Sequence, residues 1–247
     1  MLLLIAGGTL KDSKTKNVLH GGSTILILRT KDYAIMAADS KQVLYTNNNP
    51  KPSFTEVCKI RHFKNQYYAM AGYFQLDGSP FNAETILLSS QMKTADETIE
   101  KFKRNIRKPL DSCLKVVSKS QPQLFNSLIG NSLFSIALVN FENNIPNVKF
   151  VNYKLYKLNG HWTSSPDNVA IPIENPQLFR IGEADAINKF LNANPNYFQI
   201  LNPETALINL IKLEEQDRPE KVGGPIDVIK IDKTGHFWYS KKPVCED

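Results

Sequence analysis

Two short apolar runs, TILILR at residues 24–29 and YAIMAA at residues 33–38, stand three residues apart. Thr30, Lys31 and Asp32 lie between them. Runs of this length and composition suit strands, and the short polar connection makes the pair a β-hairpin. The second run stops abruptly at Asp39, Ser40 and Lys41. Residues 45–56 are rich in Asn, Pro and polar groups and read as a loop. A second hairpin is expected over 57–62 and 66–71, followed by Gly72 and a loop through Pro80.

The centre of the chain changes period. Residues 83–91 and roughly 95–117 read as helices, the second with Ile99, Phe102, Ile106, Leu110 and Leu114 at helical spacing. Pro109 should bend or end it, because proline has no amide hydrogen to donate. Residues 132–141 and 146–156 return to a strand pattern around the turn-like ENNIP. Asp185 to Leu191 looks helical. Asn202 is expected to cap a further helix, with Pro203 at its first position and Ala206, Leu207, Leu210, Ile211 and Leu213 on one face. Strands near 225–231 and 236–240 close the chain, joined by Lys233, Thr234 and Gly235. Hairpins dominate and helices come in blocks, which indicates a layered α+β fold rather than a βαβ repeat. No internal repeat or linker is visible, so one domain is favoured.

Composition excludes several classes. With 42% hydrophobic and 22% charged residues in 247, the chain can bury a core without disulfides or metal. Its net charge of +6 is mild. The densest basic stretch, Lys101, Lys103, Arg104, Arg107 and Lys108, alternates with Ile and Phe and reads as a solvated helix face, with no nucleic-acid partner. Cys58, Cys113 and Cys245 are odd in number and widely separated, so no disulfide framework is expected. The histidines at 20, 62, 161 and 236 make no ligand spacing, and neither a metal nor a cofactor is expected. The opening MLLLIAGG is too short for a full signal peptide or a membrane span. The location read from this is cytoplasmic, with secretion behind a truncated signal peptide as the alternative.

Residues 21–43, GGSTILILRTKDYAIMAADSKQV, resemble the opening of proteasome β subunits, which are N-terminal nucleophile hydrolases. Ala37, Ala38, Asp39, Ser40 and Lys41 fill that family's motif after the second strand. An ungapped count of sixteen back from Asp39 puts the nucleophile position at Ser23, directly after Gly22. Lys59–Ile60 matches the family's catalytic lysine, Ala71–Gly72 its oxyanion glycine, and Gly223–Gly224 its late glycine pair. The resemblance implies a four-layer α/β/β/α sandwich with two central antiparallel sheets. It also implies a propeptide over 1–22 and a single domain over 23–247. The decoy Gly7–Gly8–Thr9 fails the same count, since Ile25 stands where an aspartate is needed.

The chemistry implied is amide hydrolysis of a peptide or small amide. Cleavage of Gly22–Ser23 would free an α-amine with a pKa of about 8, able to act as base for the hydroxyl on the same residue. Lys59 would ease formation of the alkoxide, Asp39 would anchor Lys59, and the Gly72 amide would face the developing oxyanion. Ser40, Asp217, Gly223 and Gly224 would support them. Three departures stand out: Pro219 replaces the family's late aspartate, Val222 its supporting serine, and Glu183 another serine near Gly182. Three readings follow. One is an N-terminal serine hydrolase. The second is an inactive proteasome-like structural or binding protein. The third is an unrelated α+β binding protein. A homo-oligomer is compatible with the first two.

Overall fold

The computed structural model describes residues 18–46, 49–158, 161–168, 176–243 and 245. The first strands are β1 (Val18–Gly21), β2 (Thr24–Arg29), β3 (Tyr33–Ala38), β4 (Lys41–Thr46), β5 (Asn49–Glu56), β6 (Ile60–Phe63), β7 (Gln66–Gly72) and β8 (Gln75–Leu76). Helices α1 (Ala83–Ser89), α2 (Ala95–Ser120) and α3 (Pro122–Ser127) follow. Then come β9 (Ser132–Glu142), β10 (Ile145–Leu158), β11 (His161–Asn168) and β12 (Gln177–Gly182). The chain ends with α4 (Asp185–Ala193), α5 (Tyr197–Ile200), α6 (Pro203–Asp217), β13 (Asp227–Asp232) and β14 (Gly235–Ser240).

Among the described residues the strands form three antiparallel sheets, ordered β5-β4-β1-β8, β11-β10-β9-β7-β6 and β12-β2-β3-β13-β14. This corrects the expected sandwich of two sheets in four layers. The extra sheet is built from segments that carry weak strand signals. β4 and β5 occupy most of the stretch expected to be a loop. β5 carries Pro50 and Pro52, which cannot donate to a ladder, and among the described residues it accordingly lies at a sheet edge beside β4. The polar stretch 11–20 reads from the sequence as an exposed arm, and its residues 11–17 lie outside the described residues. Its end is strand: Leu19 pairs with Tyr45 and Leu76 and is buried.

The continuous apolar runs of β2 and β3 follow from burial on both faces. Ile25, Ile27, Met36 and Ala38 meet Tyr67, Ala69, Ala71, Ala137 and Val139 of the facing sheet. The alternate residues Leu26, Leu28, Ile35 and Ala37 meet Leu207, Leu210 and Ile211 of α6 and Ile187 of α4. A third cluster lies between α1–α3 and β7, β9 and β10, centred on Phe102, Phe134 and Tyr153. The β9–β10 hairpin turns through Asn143 and Asn144, both at positive φ (54° and 63°), as a two-residue primed turn requires.

The Thr94–Glu97 capping box starts α2, and Ile99, Phe102, Ile106, Leu110, Leu114 and Val117 form its buried stripe. Pro109 does not end it. Buried residues on both sides keep the helix continuous to Ser120, outweighing one missing backbone bond. Lys101 and Lys103 are half-buried, while Arg104, Arg107 and Lys108 are exposed. Asn202 precedes α6 with Pro203 in the first turn, but its side chain makes no capping bond. The cysteines also depart from expectation, since Cys58 and Cys245 form a disulfide across 187 residues of sequence. Among the described residues no helix is long and apolar enough to cross a membrane, and no cluster of three or more His, Cys, Asp or Glu could hold a metal.

Phe102 is fully buried at the junction of α2 and its sheet. Phe102→Ala should destabilise the protein by about 3–5 kcal/mol, read as a lowered urea midpoint with an unchanged slope.

Candidate active site

The register of the first hairpin sets the site. Ile25 pairs with Ala38, so the start of β2 and the end of β3 lie side by side. Ser23, just before β2, is thereby brought next to Asp39, just after β3. The Thr24 amide donates to Asp39 Oδ1 at 2.8 Å, and the Asp39 amide donates to the Thr24 carbonyl at 3.2 Å. Asp39 is fully buried, and its carboxylate takes three further donors. Lys59 Nζ reaches Oδ1 at 2.6 Å, while the amides of Lys41 and Gly223 reach Oδ2 at 3.2 and 3.1 Å. Four donors compensate for the water that a buried carboxylate has lost.

Lys59 stands just before β6. Its ammonium also donates to the Lys41 carbonyl at 2.6 Å. Burial holds its pKa below the ordinary lysine value, only partly offset by Asp39, and the positive charge of Lys242 adds to the lowering. Gly223 accepts at its carbonyl from the amides of Ser40 and Lys41, at 3.1 and 3.0 Å. Ser40 is buried with an unpartnered Oγ, against which a Cβ on Gly224 would sit at 2.4 Å.

Ser23 is 1% exposed, and its Oγ is buried without a hydrogen-bond partner among the described residues. It lines a cavity of about 110 Å³ together with Gly22, Gly72, Ser135, Gly182, Glu183 and others. That is roughly four water-sized volumes, enough for a small functional group. Gly72 ends β7 at φ 89°, and a Cβ there would lie 2.4 Å from the Leu133 carbonyl oxygen. Only glycine fits such an approach. Gly22 has φ 79°, which glycine adopts freely, and Ser23 follows at φ 156°.

The structure thus brings Ser23, Asp39, Ser40, Lys59, Gly223 and Gly224 into one hydrogen-bonded and packed region, with Gly22 and Gly72 on the cavity wall. It does not bring in Asp217, which is exposed at the end of α6 and pairs with Arg218. Val222 is buried in the core under α6, and the Pro219 carbonyl accepts from Lys41 Nζ. Three further residues contribute: Lys221, which carried no signal in the sequence, and Gly182 and Glu183, which entered only as the place of a missing serine. Gly182 has its Cα so close to Ser23 that a Cβ would meet the Ser23 carbonyl oxygen at 2.1 Å. The Glu183 amide donates to that same oxygen at 2.8 Å. Glu183 in turn pairs with Lys221 at 2.8 Å on the cavity wall. Beyond Lys59 lies a second cavity of about 190 Å³, where Glu84 accepts from Arg61 Nη1 and the Tyr68 hydroxyl at 2.6 and 2.7 Å. Burial and the Glu84 charge push the Tyr68 hydroxyl above its ordinary range.

No family model matches the chain, and no curated protein matches it. Solved structures that match include Anbu (ancestral beta-subunit) from Yersinia bercovieri, 12% identical with a TM-score of 0.48, the match covering 88% of each chain. An Anbu (Gly-1) mutant from Hyphomicrobium sp. strain MC1 is 13% identical with the same TM-score, covering 90% of this chain and 86% of that one. These findings correct the assignment to proteasome β-like N-terminal nucleophile hydrolases. What they leave is a likeness to Anbu structures, too remote to assign a family or an activity.

Two outcomes follow from the geometry. Lys59 should titrate below the free-lysine value of about 10.4 when followed by nitrogen-15 NMR of its ammonium. Between that lowered folded value and the unfolded one, the unfolded chain binds more protons. The contribution of Lys59 to stability should therefore grow as pH rises through that window. Gly182→Ala should cost more than Gly130→Ala in urea unfolding. Both glycines have positive φ, near 80°, but only Gly182 faces a backbone collision, while Gly130 faces open space. The control should cost about 1 kcal/mol and Gly182→Ala at least about twice that.

Proposed function

We propose that this protein is a self-processing serine amide hydrolase acting on a peptide or small amide. The observation that carries the reading is the buried, unpartnered Ser23 hydroxyl on a cavity wall, one residue from the Thr24 amide that shares Asp39 Oδ1 with Lys59. In the first step the hydroxyl attacks the Gly22 carbonyl, and the acyl group moves from the Ser23 nitrogen to its oxygen. Water then cleaves the ester. Residues 1–22 become a propeptide, and 23–247 the mature domain. The freed α-amine has a pKa of about 8, accepts the hydroxyl proton during attack on substrate, and passes it to the leaving amine. Lys59 stabilises the alkoxide through its charge, and Asp39 keeps the lysine in place. The Gly72 amide is the candidate donor to the oxyanion.

A second reading is a non-catalytic binding or structural protein. It is favoured by the placement of β1, which lies between β4 and β8 with Leu19 buried and His20 paired to Asp77 at 3.0 Å. A chain that keeps the Gly22–Ser23 bond holds the Ser23 nitrogen as an amide, which cannot act as a base.

Mass spectrometry under denaturing conditions separates the two. The expected result is loss of residues 1–22 and covalent labelling of Ser23 by a β-lactone or epoxyketone probe. Ser23→Ala should remain uncut and lose turnover by on the order of 10⁶-fold. Lys59→Ala should lose about 10²–10³-fold. It should also lose about 3 kcal/mol of stability, because Asp39 stays buried without its counter-charge. A chain that stays intact, and does not label even when a protease trims it to begin at Ser23, sinks the hydrolase reading and leaves the binding one.

A further inference from the structure

We propose that the C-terminal tail is a redox-releasable clamp on the segment that carries Lys59. Residues 57–59 lie between β5 and β6 and belong to neither strand. The Val57 amide donates to the Ser40 carbonyl at 2.9 Å, and the Cys58 carbonyl accepts from Arg61 Nε at 2.9 Å. Lys59 itself is anchored through its ammonium to Asp39 and to the Lys41 carbonyl, and further attachments of residues 57 and 58 come from the tail beyond β14. Cys58, the residue immediately before Lys59, is disulfide-bonded to Cys245. The buried Lys242 ammonium donates to the Val57 carbonyl at 3.0 Å and pairs with Asp227 Oδ2 at 2.6 Å. The Lys242 amide donates to Asp227 Oδ1 at 2.9 Å, and the Cys245 amide donates to the Lys242 carbonyl at 3.0 Å. Asp227 in turn sits opposite Ala38, next to Asp39, in the β3–β13 ladder.

None of these four side chains has a part in the chemistry proposed for Ser23. The Lys242–Asp227 pair is almost fully buried, with side chains 5% and 1% exposed, so each charge has given up its water. Such a pair holds only while its partners stay in register. The disulfide shortens the tether between the tail and residues 57–59 and so raises the effective concentration of Lys242 beside the Val57 carbonyl. Cys58 is half-buried and lines the 190 Å³ cavity, which opens a route to the bond for a small dithiol. One thiolate of the dithiol attacks a sulfur of the disulfide and forms a mixed disulfide. Its second thiol displaces the protein sulfur. The products are two protein thiols and the cyclic oxidised dithiol, which has supplied two electrons and two protons. Cys113 stays out of this exchange: it is buried in the core beneath α2, and burial pushes its thiol up to about 12.

The consequence for hydrolysis rests on the role proposed for Lys59, but the clamp itself does not. The test compares the full-length protein before and after dithiothreitol, in buffer at neutral pH. The readouts are hydrogen exchange of peptides spanning 57–61 and 241–245, and labelling of Lys59 by a water-soluble amine-reactive ester. Reduction should raise both at least tenfold, while exchange in β9 and β7 stays unchanged, and reoxidation should restore protection. Cys245→Ser should behave like the reduced protein without any reductant, and Lys242→Met should raise exchange at 57–61 with the disulfide intact. Equal exchange and labelling in the two redox states would overturn the proposal. So would uniform loss of protection throughout the sheets, which would make the disulfide a support of the whole fold. Free thiols at Cys58 and Cys245 in protein purified without reductant would also overturn it. If Lys59 responds to reduction while no substrate is cleaved in either state, the hydrolase reading fails and the clamp stands. If turnover is present but Lys59 does not respond, the clamp fails alone.

Discussion

A single buried carboxylate organises this molecule. Asp39 takes hydrogen bonds from Thr24, Lys41, Lys59 and Gly223, which belong to four separate stretches of chain. An unpaired charge at that depth costs several kcal/mol, so the fold is stable only when all four stretches arrive together. The start of β2, the turn after β3, the entry to β6 and the glycine pair after α6 are thereby fixed to one another. The glycines give the backbone room to come this close. A side chain at Gly224 would strike Ser40, and one at Gly182 would strike the Ser23 carbonyl.

The same arrangement places two demands on the segment before Ser23. As a strand, β1 is interior to its sheet, and its Leu19 fills the core beneath the helices. Under the proposed hydrolysis it would also block the Ser23 amine that the chemistry needs. The demands are separable in principle. Scission of one peptide bond leaves the hydrogen bonds of β1 to β4 and β8 intact, so the amine can be freed while the strand stays paired. Cutting and release are then distinct events with distinct energetics. Release must expose Leu19 and break the His20–Asp77 pair.

Much of the layout was legible. The runs at 24–29 and 33–38 are apolar at every position because both faces of their sheet are covered, and that pattern survives any detail of packing. The stripe along α2 is equally plain, and it prevailed over Pro109 because packing outweighs one lost backbone bond. The third sheet was not legible. Proline and asparagine mark loops on average, yet an edge strand tolerates them, and nothing local distinguishes the two. Within the candidate site, Ser23, Asp39, Lys59 and Gly72 were picked out by the resemblance of residues 21–72 to proteasome β subunits; taken singly, each reads as a loop, turn, surface or strand-end residue. Asp217 was placed by proximity to an absent aspartate in the sequence, and the helix end turns it to solvent instead.

By itself, then, the order of residues determined the hairpins and the helical block. These depend on periodicity and on turns of two or three residues, which neighbours along the chain specify. Tertiary structure alone decided which distant groups complete the site. Gly182 lies against Ser23, Glu183 and Lys221 close the cavity wall, and the Cys58–Cys245 bond spans 187 residues. Such partners are chosen by how sheets stack and where strands end. A chain encodes that outcome only through its whole core, so no local pattern of residues announces it.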